Sequence, residues 1–245
     1  MPDVMIGTAA WSISGKSKSH FPSEGSSLER YAAVFRAVEI NSSFYRRHKP
    51  ETWARWADSV PDDFRFSVKL AKAITHENRL KDAEALISEF ASDVGHLRDK
   101  LGPILIQLPP NLPFDVPVAK GFFRMLRQAF SGPVVIEPRH LSWNEEDAGG
   151  LLEEFAIDRV HADPAPIPNV DSRRILYLRL HGSPRIYYSE YEGDALASYA
   201  AMLRSHPTPA WCIFDNTASG AAILNALDMR ALMARQPERS RGPAG

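Results

Sequence analysis

Eight short apolar runs punctuate the chain, at residues 4–9, 38–42, 65–70, 104–108, 134–137, 159–162, 175–180 and 210–214. Each holds four to six residues, mostly Val, Ile, Leu and Phe, with little polar alternation. Such runs form strands buried on both faces, as parallel sheets require. Their starts lie about 30 residues apart on average, the length of one strand–helix unit. Eight such units predict an α/β fold, a single (β/α)8 TIM-type barrel with parallel strands. The competing doubly wound sheet usually carries a glycine-rich phosphate turn after an early strand. Gly7-Thr8-Ala9-Ala10-Trp11 does not supply one.

Helical patterns fill the gaps. Ser27 precedes a segment that places Leu28, Tyr31, Ala32 and Phe35 on one face. Trp53 and Trp56 share a face after Pro50, and similar patterns cover residues 82–97, 117–130, 147–155, 194–204 and 219–233. The expected domain spans residues 1–234. Residues 235–245, charged, proline-containing and nonperiodic, read as a flexible tail. The chain holds 19 prolines against 14 glycines, a balance that elsewhere suggests linkers. Here most prolines border the apolar runs, where a residue without an N–H fits the limit of a strand.

With 29 Lys and Arg against 30 Asp and Glu, the formal charge is -1, so extended nucleic-acid or membrane binding is not expected. One cysteine, Cys212, permits no internal disulfide and reads as a small core residue. The apolar runs are too short to span a membrane, and the N-terminus lacks a signal-peptide pattern. A cytoplasmic location is the expectation. The oligomeric state is left open.

In a barrel the carboxyl ends of the strands carry the active site. Strand parity puts Glu39 and Asn41 on one face, Ser67 and Lys69 on one face, and His161 and Asp163 on one face. Tyr177, Arg179 and His181 alternate with three leucines. Gln107 and Glu137 end apolar runs, with Arg139 and His140 just beyond Glu137 and Asp215 and Asn216 after the last run. Burying this many polar groups is costly unless they are paired or used. Internal ion pairs, Glu39 with Lys69 or Glu137 with Arg179, are the structural alternative to a ligand site.

Several segments match a known family in order: Glu39-Ile40-Asn41-Ser42-Ser43-Phe44-Tyr45, Phe66-Ser67-Val68-Lys69, Ile74-Thr75-His76 and Leu105-Ile106-Gln107-Leu108-Pro109-Pro110. Glu137-Pro138-Arg139-His140-Leu141-Ser142-Trp143 and Arg179-Leu180-His181-Gly182 complete the set. The chain resembles the YecE-like family (domain of unknown function seventy-two) over nearly all of residues 4–230. The resemblance implies a TIM-type barrel and no established activity. The family usually opens with Gly-Thr-Ser-Gly-Trp, and Ala9-Ala10 depart from that.

The chemistry expected at the strand ends is acid/base catalysis on a small polar, anionic ligand, such as a phosphorylated sugar or nucleotide-like compound. Glu137 is the first candidate acid or base and Glu39 the second carboxylate. Lys69, Arg139, Arg179 and His181 would orient or neutralise the ligand. Asn41, Gln107, Asp163, Asp215 and Asn216 complete the expected lining. His76 and His140 lie beyond strand ends, Trp143 follows the fifth strand, and Tyr187, Tyr188 and Tyr191 suit an aromatic lid. Thr217 or Ser219 would cap the last helix or leave its N-terminus to an anion. Lys69 as a Schiff-base amine is weighed against its ion pair with Glu39 or Glu137. No cofactor is expected. A divalent metal on the carboxylates and histidines, serving an isomerase, epimerase or phosphodiesterase, is one alternative. A non-catalytic ligand- or nucleic-acid-associated protein is another.

Overall fold

The computed structural model describes residues 3–235. The proposed tail, beyond Arg235, lies outside the described residues. Nine parallel strands form two sheets. One holds β2 (Ala37–Ile40), β3 (Arg65–Lys69), β4 (Leu101–Gln107), β5 (Val134–Glu137) and β6 (Asp158–Arg159), paired in chain order. The other has the order β1 (Val4–Thr8), β9 (Ala210–Phe214), β8 (Leu176–Leu180), β7 (His161–Asp163). The helices of the connections are α1 (Ser27–Ala32), α2 (Ser42–Tyr45), α3 (Pro50–Asp58), α4 (Glu84–Val94), α5 (Val116–Ala129), α6 (Glu146–Glu154), α7 (Gly193–Ser205) and α8 (Ala221–Ala234). No helix among the described residues is long and apolar enough to cross a membrane.

The pairing departs from one uninterrupted eight-strand ladder at two seams. At the first, β1 and β2 lie side by side but pair only through a parallel bridge between Ala9 and Glu39, with the Ala10 N–H donating to the Glu39 carbonyl at 2.8 Å. At the second, the expected sixth strand is split. Arg159 pairs with Ile136, and the Val160 N–H still donates to the Ile136 carbonyl, but His161 pairs with Leu178 of β8. One short run thus changes partners at Val160, where each half is too brief to hold both neighbours.

Two apolar clusters follow from strand alternation. Leu176, Leu178 and Leu180 belong to the larger one, between sheets and helices, with Phe122, Phe123 and Trp53. The opposite strand faces enclose a smaller one of Met5, Ala37, Leu105, Val135, Tyr177, Trp211 and Ile213. Gly7 allows β1 to approach β2 there: an added Cβ would lie 2.1 Å from the Ala37 carbonyl oxygen. Because backbone must move to relieve that contact, Gly7→Ala is expected to destabilise the fold at or beyond the upper end of the roughly 1–3 kcal/mol typical of over-packing. A lowered urea midpoint at unchanged slope would register it.

Candidate functional site

The enclosed strand faces turn polar toward the carboxyl ends. Above Tyr177, β8 presents Arg179 and then His181 on the same side. The register Ala162↔Arg179 and Arg179↔Ile213 brings Ala162 and Ile213 to that level, with Asp215 one step above Ile213. Across the interior, the pairs Glu39↔Ser67 and Gln107↔Glu137 bring two carboxylates toward the same guanidinium.

Arg179 is the hub, with 1% of its surface exposed. Its Nε donates to both Glu39 carboxylate oxygens, at 3.2 and 3.0 Å, and its Nη2 to Glu39 Oε1 at 2.8 Å. Its Nη1 donates to Glu137 Oε2 at 2.9 Å, and Nη2 also lies 3.0 Å from Asp215 Oδ2. Glu39 is completed by the Tyr177 hydroxyl at 2.9 Å, itself 2.8 Å from Ser67 Oγ. Glu137 Oε1 accepts from Arg139 Nε and Nη2, at 3.0 and 2.8 Å, and from Gln107 Nε2 at 3.2 Å. His181 Nδ1 stands 3.0 Å from Asp215 Oδ2. Its buried Nε2 is 3.3 Å from Glu137 Oε1 without an aligned hydrogen bond. Polar burial on this scale is tolerable only because nearly every lone pair has a donor.

Lys69 is the exception. It is 7% exposed, and no carboxylate among the described residues lies within 4.0 Å of it. Its ammonium sits 4.1 Å from the centre of the Phe44 ring. His76, in a single π-helical turn at Ala73–Glu77, packs edge-on against the same ring at 4.9 Å and is held by Thr75 Oγ1 at 2.8 Å. Phe44 thus joins the two side chains. It sits on the short helix after Asn41, whose Oδ1 is buried without a partner.

The fields follow from this packing. Burial opposes charge on Glu137, but Arg179, His181 and Arg139 outweigh it and hold the carboxyl well below its usual range. Asp215 is lowered in the same way, with Arg179 and His181 overcoming burial. Burial disfavours protonated His181, yet Glu137 and Asp215 raise its pKa. Burial and then Arg179 bring Lys69 down to about 8, despite Glu39, Glu137 and Asp215. Burial, Lys69 and Arg139 lower His76.

These directions set a pH dependence of stability. The depressed carboxylates stabilise the fold above the ordinary carboxylate range, and this is lost as pH falls through their folded values. Raised His181 stabilises it below about 6.5, and this is lost as pH rises through its folded value. The contribution of Glu137, Asp215 and His181 is therefore expected to peak in mild acid, with the relief of Lys69 adding stability only above pH 8. Urea midpoints measured from pH 3 to 9 for the protein and for His181→Gln test this: the variant should lose the decline on the neutral side.

Other expected residues take different places. The pair of Glu39 with Lys69 is not formed, because Arg179 already holds Glu39; the pair of Glu137 with Arg179 is. Glu39 is 0% exposed and fully bonded, so it anchors Arg179 and is not placed as a second catalytic carboxylate. Asp163 shares a face with His161, but Ala162 occupies the interior level with Arg179, leaving Asp163 on the outer side near Tyr199. Trp143 is a wall residue, 1% exposed, donating to the Leu112 carbonyl at 3.0 Å and packed on Phe114. His140 caps the turn at Leu141–Asn144 through Ser142.

Tyr191 is no lid. It is 5% exposed, and its hydroxyl accepts from the Gly182 N–H and donates to the Asp163 carbonyl, both at 2.9 Å. Gly182 itself has φ of 95°. Asn216 braces the same loop by donating to the Ser189 carbonyl and Asn225 Oδ1. Tyr188 is exposed beneath the Arg185 guanidinium, 4.0 Å from its ring centre. Tyr187 is the tyrosine that meets the cluster, edge-on to His181 at 5.9 Å. Neither Thr217 nor Ser219 caps α8, whose N-cap is Gly220.

No group of three His, Cys, Asp or Glu side chains among the described residues is arranged to hold a metal ion. The carboxylates are directed at arginines instead. A cavity of about 560 Å³ opens at the amino ends of the strands beside Arg127, Asp158 and Arg174, away from the charged cluster.

Comparison with known proteins places this architecture. The chain is 32% identical over 145 residues to the UPF0759 protein YecE of Escherichia coli (strain K12), covering 58% of this chain and 53% of that protein. The match therefore spans about half the length of that relative. With the UPF0759 protein YunF of Bacillus subtilis (strain 168) it shares 24% identity, covering 94% of each. A DUF72 family protein from Thermotoga maritima MSB8 superposes with a TM-score of 0.80 at 23% identity, covering 95% of this chain and all of that one. One from Enterococcus faecalis V583 gives 0.77 at 22% identity, covering 96% and 99%. These likenesses support a TIM-like α/β fold. The model of the protein family of unknown function DUF72 matches residues 5–244, and the chain belongs to that family.

Proposed function

We propose that the carboxyl-end face of the strands is an enzyme active site for a small anionic ligand, a phosphorylated or carboxylated metabolite. In this reading the two sheets act as one closed barrel in which β6 and β7 together stand for the sixth strand. The observation that carries the proposal is the position of Lys69, buried with no contacting carboxylate among the described residues. Arg179 is held by three carboxylates, one of which it shares with Arg139, so with His181 protonated the four cations Lys69, Arg139, Arg179 and His181 exceed Glu39, Glu137 and Asp215 by one charge. A buried cation that lacks a partner is costly unless a ligand supplies one. Arg139, half-buried and at the rim, is the second contact for the anion.

Glu137, His181 and Asp215 supply proton transfer. Depressed Glu137 acts as the base, and the raised imidazole of His181, oriented by Asp215, acts as the acid. Glu39 and Tyr177 position Arg179 beneath them.

A thermal-shift screen tests this reading, because a ligand that binds only the folded state raises the midpoint. Phosphorylated and carboxylated compounds are expected to raise it, and their uncharged counterparts are not. A panel in which only neutral compounds stabilise the protein would overturn the proposal.

A further inference from the structure

We propose that Lys69 is a nucleophilic amine that condenses with the carbonyl group of the anionic ligand, forming an iminium at the end of β3. This rests on the site assignment above and narrows its substrate class to aldehydes and ketones that carry a carboxylate or phosphate.

Three features of the cluster carry it. First, the amine is free. The ion pair that would keep it protonated and inert is absent, since Arg179 takes Glu39 with two nitrogens and shares Glu137 with Arg139. Second, the setting is apolar on one side and cationic on the other. Phe44 covers the amine at 4.1 Å, and the guanidinium of Arg179 belongs to the same interior cluster. Lysines become nucleophilic when desolvated or placed near another cation. Third, proton carriers share the enclosure. Asp215 acts on Lys69 through space and contacts His181, whose Nε2 is buried without an aligned partner.

The groups facing the amine come from every neighbouring element: Glu39 on β2, His76 on the π-helical turn, Glu137 on β5, Arg179 on β8 and Asp215 after β9. The carboxylates favour the ammonium, but burial and Arg179 prevail and leave the pKa near 8.

The step balances without a co-reactant. The ammonium gives one proton to a neighbouring base, and the nitrogen lone pair attacks the carbonyl carbon. The carbonyl oxygen takes up that proton and becomes a hydroxyl. A second nitrogen proton leaves with this oxygen as water, and the third remains on the iminium nitrogen. One carbonyl compound is consumed, one water is released, and the net charge is unchanged, residing on nitrogen in both the starting ammonium and the final iminium. Hydrolysis reverses the sequence and returns the enzyme.

Trapping tests it. The folded protein is incubated at pH 8 with glyoxylate, an anionic aldehyde, or with propanal, a neutral one, in the presence of cyanoborohydride. Peptide mass mapping then locates the reduced adduct. At pH 8 an amine with a pKa near 8 is about half unprotonated, roughly a hundredfold more than an ordinary lysine near 10.4. Glyoxylate is expected to label Lys69 at least about tenfold faster than any other lysine, and faster than propanal does. The preference should vanish in denaturant, a control that needs no variant, and Lys69→Arg should lose the adduct. Equal labelling of all lysines by glyoxylate would overturn the proposal. A parallel titration with inorganic phosphate separates the two claims. If phosphate binds and no adduct forms, the nucleophile is refuted while the anion site stands. If Lys69 is labelled equally by both aldehydes and phosphate does not bind, the amine stands and the anion site is refuted.

Discussion

Arg179→Met is expected to remove a large fraction of the protein's stability at neutral pH. The substitution fits the volume of the side chain but removes the cation shared by Glu39, Glu137 and Asp215, at 2.8, 2.9 and 3.0 Å. The three losses are unequal. Glu137 keeps Arg139 and Gln107, and Asp215 keeps His181. Glu39 keeps only the Tyr177 hydroxyl, at zero exposure. Stranding one member of a buried pair costs about 3–5 kcal/mol, a large fraction of the roughly 5–15 kcal/mol that stabilises a domain. Urea unfolding at pH 7 should show the drop. The double change Arg179→Met with Glu39→Gln should recover part of the loss, which would identify the orphaned carboxylate as its source. A single variant as stable as the parent would mean that Arg179 is not the hub.

Lys69→Met should do the opposite: stabilise the protein at neutral pH while abolishing anion binding. The folded pKa near 8 lies below the ordinary value near 10.4, so the charged lysine is a net burden on the fold. That interval corresponds to about 3 kcal/mol. The penalty is complete below pH 8 and is relieved as pH rises toward 10.4, because the folded state gives up its proton first. The advantage of Lys69→Met is therefore expected to be full at pH 7 and to shrink toward pH 10. A charged residue that weakens its own fold and lacks an internal partner is what a site held ready for a ligand looks like energetically. If Lys69→Met were destabilising by several kcal/mol at pH 7, the lysine would be a structural cation instead.

Much of this arrangement is legible in sequence, and the failures have physical causes. The apolar runs locate the strands, and Tyr177-Leu178-Arg179-Leu180-His181 reads out which residues share a face, because period-two alternation is fixed by the strand itself. The helices from 116 to 234 fall within two residues of their expected limits at each end. Parity alone does not say which face is enclosed. For His161 and Asp163 the answer depends on how a short strand splits its pairing at Val160, a tertiary fact. Trp143, Tyr191 and Asn216 lie near the strand ends in sequence, but each turns into the wall to satisfy backbone groups of the loops. Which tyrosine of 187, 188 and 191 meets His181 depends on the fold of the loop after β8. The most informative surprise is Lys69. Strand parity leaves open whether it meets a ligand or pairs with Glu39 or Glu137, and only the competition won by Arg179 leaves it without a contacting carboxylate among the described residues.

The central claim is that an anion completes the charge of this cluster, and locating a heavy anion tests it most directly. Crystals soaked in selenate would reveal the anion by anomalous scattering. The account predicts selenate within hydrogen-bonding distance of Lys69 Nζ and Arg139, and no peak there in Lys69→Met. Selenate bound only elsewhere, such as beside the buried Arg159 on the outer wall, or an unchanged peak in the variant, would contradict it.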